Sequence, residues 1–113
     1  MGSDEHEYVT KKLAVTLEIL ATHPGDARER LLSAYYTFHV LLPRDFPPHL
    51  QDRWRKVLWG ISKFGPQYNE FTGEIFRSPL EHTLMRIRKS TAAAICKSIL
   101  DIYWQMSSNR RYL

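Results

Sequence analysis

The sequence predicts an all-α fold: a single-domain four-helix bundle with a short irregular or hairpin-like insertion, at about residues 66–77, before a long C-terminal helix. Three observations lead there. Ser78-Pro79-Leu80-Glu81 is a complete helix start: the serine oxygen accepts from the amide three residues on, the glutamate reaches back to the serine amide, and proline at the first helical position has its φ preset. After Pro79 the chain runs to about Met106 without another glycine or proline. Three earlier segments repeat their apolar residues at helical spacing, and glycine or proline separates them.

The first helix is expected at about 5–21. Val9, Leu13, Thr16, Leu17 and Leu20 form its inward stripe, and Asp4, Glu5 and Glu7 suit the positive end of its dipole. His23-Pro24-Gly25 stops it. Asp26 caps a second helix, about 26–42, with Glu29 completing a capping box, and Pro43 follows. From Leu31 to Leu42 this helix has no formal charge and is apolar or weakly polar on every side, which predicts a central, surrounded rod. Pro47-Pro48 open the third helix, about 48–64, whose inward stripe is Leu50, Trp54, Val57, Leu58, Ile61 and Phe64, and Gly65-Pro66 close it. In the insertion, Thr72-Gly73 is the turn, with Tyr68-Asn69 against Ile75-Phe76 if the segment pairs at all. The fourth helix, about 79–106, directs Leu80, Leu84, Ile87, Thr91, Ile95, Ser98 and Ile102 inward at 100° per residue.

Composition narrows the function classes. With 113 residues, 43% of them hydrophobic and 25% charged, the chain reads as an ordinary folded domain and not a disordered one. No apolar run approaches the roughly 18 residues of a membrane span, and the acidic start is unlike a secretory signal, so a cytoplasmic protein without a membrane partner is expected. The lone Cys96 is expected to be a packed side chain.

The candidate binding surface comes from the helical phase. The stripe that turns Trp54 inward turns Trp59 outward, among Arg55, Lys56 and Lys63, with Asp52 the one acid nearby. A tryptophan among cations on an outward face has the character of an interaction hot spot, because the ring buries a large area and tolerates cationic neighbours. The competing reading covers the indole with Tyr68, Phe71 and Phe76 or with the N-terminal tail. On the fourth helix Arg86, Lys89 and Lys97 share the side opposite the core and extend this surface if the two helices lie side by side. Residues 44–113 hold twelve basic and six acidic side chains, a balance of about +6 against about −2 for residues 1–43. Such a stripe suits an acidic protein face or phosphates. Near the end of the fourth helix Leu100 and Trp104 make the rod apolar almost all round, a candidate dimer or partner patch unless neighbouring helices enclose it.

Enzyme signatures are few. The five histidines show no pair at metal-ligand spacing, there is one cysteine, and neither GxxxxGK[ST] nor GxGxxG occurs, so no metal and no cofactor are expected. From Arg77 to His82 the chain resembles the arginine-to-histidine motif of HEPN ribonucleases, a small all-α family. The resemblance covers six residues and a fold class, and the same spacing recurs from Arg44 to His49. It implies His82 as a general acid/base and Arg77 as a phosphate stabiliser, in a dimer acting on RNA. In order of preference the sequence thus points to a non-enzymatic module of the inhibitor, immunity or adaptor kind acting by protein–protein contact. A nucleic-acid-binding protein using the basic stripe comes second, and a HEPN-like ribonuclease third. Homodimerisation is compatible with all three.

Overall fold

The structure is a computed structural model that describes residues 6–111, with side chains described through residue 107. Its described part is mostly helical. The order is α1 (Glu7–Thr22), α2 (Ala27–Phe38), a 3₁₀ turn (Pro43–Asp45), α3 (Pro48–Gly60), β1 (Gln67–Tyr68), β2 (Ile75–Arg77), α4 (Pro79–Arg86) and α5 (Lys89–Arg111). Asp4 and Glu5, expected in the first helical turn, lie outside the described residues.

Both capping boxes form. The Asp26 carboxylate accepts from the Arg28 and Glu29 amides, while the Glu29 carboxylate accepts from the Asp26 amide at 3.1 Å. Ser78 Oγ accepts from the Glu81 amide at 3.2 Å, and Glu81 accepts from the Ser78 amide at 3.1 Å. Arg28 also donates to Asp26, at 2.9 Å, and this guanidinium contact with the two amide bonds holds the Asp26 pKa at about 2. The amide and hydroxyl of Ser78 likewise lower that of Glu81.

One buried cluster draws on all five helices. Val9, Leu13 and Leu20 of α1 meet Leu31, Ala34 and Phe38 of α2, Leu50, Trp54 and Val57 of α3, Leu84 of α4, and Ala92, Ile99, Ile102 and Met106 of α5. Its aromatic centre is Trp54, stacked on Phe46 at 4.8 Å and meeting Phe38 edge-on at 5.6 Å. The indole N–H donates to the Leu41 carbonyl at 2.9 Å, so a polar atom inside the core is satisfied.

Five expectations are corrected. The long C-terminal helix is two helices: Ile87 adopts φ −76° and ψ 158°, and the chain bends there without glycine or proline. The cause is tertiary. α4 packs on α2 and β2, whereas α5 packs on α1, α2 and α3, and the bend lets both Leu84 and Ile87 enter the core before the direction changes. The inward face of α5 is consequently rephased to Ala92, Ile99, Ile102 and Met106, with Ser98 exposed. α3 ends at Gly60, four residues early, and Phe64 lies in the following turn, substantially exposed and not in the core. Gly60 sits where α3 crosses α5, since a Cβ there would lie 3.3 Å from Ile95 Cδ1. α2 ends at Phe38, so that Leu41 drops into the core and offers its carbonyl to Trp54. Nor is the segment surrounded as expected, because Tyr36 in α2 and Val40 just beyond its end face solvent.

The insertion pairs as an antiparallel hairpin with Gln67 opposite Arg77 and Tyr68 opposite Ile75, leaving Phe76 in a bulge. Gly73 closes its turn with φ 75°, and Asn69 Oδ1 accepts from the Phe71 and Thr72 amides.

Candidate protein-interaction face

The core stripe of α3 decides where its two tryptophans go. Leu50, Trp54, Val57 and Ile61 are buried, and Trp59, two residues past Val57, is rotated away from them and is 66% exposed. The hairpin aromatics do not fold over it: Tyr68 and Phe76 are more than half exposed themselves, and Phe71 is 94% exposed.

Around the indole the side chains form a row that crosses from α3 to α4. Lys63 Nζ lies 5.5 Å from the centre of the Trp59 ring and 5.6 Å from that of Phe64, so one ammonium serves two π faces. The Arg86 guanidinium lies 4.7 Å from the Phe64 ring centre. Phe64 is placed from below: its amide donates at 3.1 Å to the hydroxyl of Thr83, which is fully buried in α4. One residue on, the Gly65 carbonyl accepts from His82 Nδ1 at 3.0 Å. The turn after α3 is thereby fastened to α4, and the sequence Trp59, Lys63, Phe64, Arg86 alternates ring and cation across the junction.

The other proposed cations are distributed differently. Arg55 is on the outward face of α3 but is bonded to Asp52 at 2.7 Å. Lys56 lines a cleft between α3 and α5 with Arg53, Ser98, Asp101 and Ile102. Lys97 is bonded to that Asp101 at 2.6 Å, and Lys89 is exposed in the first turn of α5. Asp52 and Asp101 therefore punctuate the basic stripe, and only Lys63 and Arg86 are brought against aromatic rings beside Trp59. Sequence reasoning missed Phe64 and Arg53. Placing the α3 terminus at Gly60 would have exposed Phe64, and the glycine itself was the available signal.

At the far end of α5, Ile99 and Ile102 are enclosed, Leu100 is half-buried, and Trp104 is 50% exposed with its ring edge-on to Tyr103 at 6.0 Å. The two residues carried by the ribonuclease resemblance each hold the hairpin region. Arg77 donates to Gln67 Oε1 at 2.8 Å and lies over the Phe76 ring at 4.3 Å, while His82 binds Gly65 and packs against Phe64. Cys96 is half-buried, and burial pushes its thiol pKa up.

Among the described residues no group of three or more His, Cys, Asp or Glu is placed to hold a metal ion, and no helix is long and apolar enough to cross a membrane. Comparison with protein-family models, with curated proteins and with solved structures finds no match.

Proposed function

We propose that this chain is a small non-enzymatic binding module that acts by protein–protein contact, in the manner of an inhibitor, immunity protein or adaptor, within the cytoplasm. The scaffold for this reading is a helical bundle in which α4 and α5, bent apart at Ile87, take the place of a single fourth helix. The observation that carries this reading is the exposed Trp59 indole set in a row with Lys63, Phe64 and Arg86. Aromatic area beside desolvatable cations is the composition of interaction hot spots. The cations favour a partner with an acidic rim around an apolar socket for the indole.

The test is affinity purification from the native host with wild type, Trp59→Ala and Lys63→Glu side by side, with thermal melts of each. One protein held by wild type and lost by both variants, with melts showing that each variant is still folded at the binding temperature, is the expected outcome. A partner retained equally by all three refutes the assignment. So does finding only nucleic acid, bound with an affinity that falls steeply between two salt concentrations in an anisotropy titration.

A further inference from the structure

The hairpin carries a second apolar surface, which adjoins the indole face and shares the cations Lys63 and Arg86 with it. Tyr68 and Ile75 are direct cross-strand partners, so they stand on one side of the ribbon, and they, Phe71 and Phe76 are all more than half exposed. Tyr68, Ile75 and the tip ring Phe71, at about 200 Å² each, present roughly 400 Å² of apolar surface, within the range of the largest patch on a monomer, while the Phe76 ring lies under Arg77. The charge along the ribbon is bipolar. Glu70 and Glu74 are exposed at the turn, and among the described residues no ion pair engages either of them. Cations flank the other end: Arg77 in β2, and Lys63 and Arg86 on either side of Phe64.

We infer that the hairpin is the surface through which two copies of this chain associate, side by side and antiparallel about a two-fold axis. A two-fold contact places the same patch on both partners, so the acidic turn of each copy meets the basic end of the other. A nucleic acid or an anionic membrane approaching the aromatic tip would meet Glu70 and Glu74 first. An occupant that carries cations one ribbon length from its own apolar tip matches both features, and a second copy does so by construction. Both strands are sheet edges, but at two and three residues they are too short for main-chain pairing to dominate, so the side chains hold the contact. Counting both copies, about 800 Å² is covered, below the usual size of a specific interface, so the association is of the weak class and is sought in the micromolar range.

Sedimentation equilibrium from about 1 to 200 µM spans that range. Wild type is expected to pass from monomer to dimer, and Phe71→Ser, at a tip position remote from the core, is expected to weaken dimerisation roughly tenfold or more. The double variant E70K/E74K and the double variant K63E/R86E are each expected to be monomeric, while an equimolar mixture restores a heterodimer because both contacts are again opposite in sign. Arg77 is left in place because it also bonds Gln67. A wild type that stays monomeric throughout overturns the inference, as does a dimer unmoved by Phe71→Ser and E70K/E74K, two tip variants that decide the matter without the third. Self-association that survives Trp59→Ala, while the external partner is lost, separates this contact from the one proposed above.

Discussion

The two tryptophans of α3 are five residues apart and are expected to respond oppositely to the same substitution. Trp59 is 66% exposed, so about 80 Å² of its side chain is covered, worth at most about 2 kcal/mol at 25 cal/mol/Å². The Lys63 contact adds about 0.5–1 kcal/mol, and alanine returns about 0.5 kcal/mol through its helix propensity. Trp59→Ala should therefore cost about 1–2 kcal/mol. Trp54 has no exposed surface, and its N–H is bonded to Leu41. Removing it opens a cavity and strands a buried carbonyl, for about 5 kcal/mol. The gap of about 3 kcal/mol corresponds to about 2 M in urea midpoint. Circular dichroism is the readout, since both substitutions remove a fluorophore. If Trp54→Ala does not fold, Trp54→Phe keeps most of the volume and still loses the hydrogen bond. A Trp59→Ala loss equal to that at Trp54 would refute the rotational argument, because it would mean the outward indole is sealed by structure.

Two further outcomes follow from single contacts. The Asp26 pKa stands at about 2 against an ordinary 3.8, so its stabilising contribution is complete above the ordinary value and is lost as pH falls toward the native one. Asp26→Asn keeps a capping oxygen but not the charge facing Arg28, so the stability gap between it and wild type should close between about pH 4 and about pH 2 in thermal melts. A gap independent of pH contradicts the assignment. Thr83→Val removes the acceptor of the Phe64 amide inside the fold and should cost about 1–2 kcal/mol in a urea titration, with Thr83→Ser closer to wild type. An unchanged or raised midpoint would show that the bond does not hold the turn.

What could be read from the chain was local chemistry. Asp26 with Glu29 and Ser78 with Glu81 specify their helix starts through residues within three positions, and the period of α3 separates Trp54 from Trp59 without reference to any other element. What could not be read was set by partners distant in sequence. Nothing in Met85 to Lys89 forbids a helix by propensity, and the bend at Ile87 exists because the segments on its two sides pack against different neighbours. The competing reading covers Trp59 with the hairpin aromatics because tryptophan is usually inside. A ribbon anchored mainly to α4 cannot reach over α3, and its rings remain in solvent.

The same bend connects the fold to both surfaces. α4 is only eight residues long, yet Thr83 holds the Phe64 amide, His82 holds the Gly65 carbonyl, Arg86 covers the Phe64 ring, and the Ser78 cap joins it to β2. A continuous rod from Pro79 onward would have to follow the axis of α5, and it could not seat Leu84 against α2 while keeping these contacts to the turn after α3. Freed at Ile87, α4 takes its own direction and sets the ring-and-cation row and the hairpin base together. Substitutions that straighten the bend should therefore disturb both surfaces at once, whereas changes at Trp59 or Phe71 act on one surface alone.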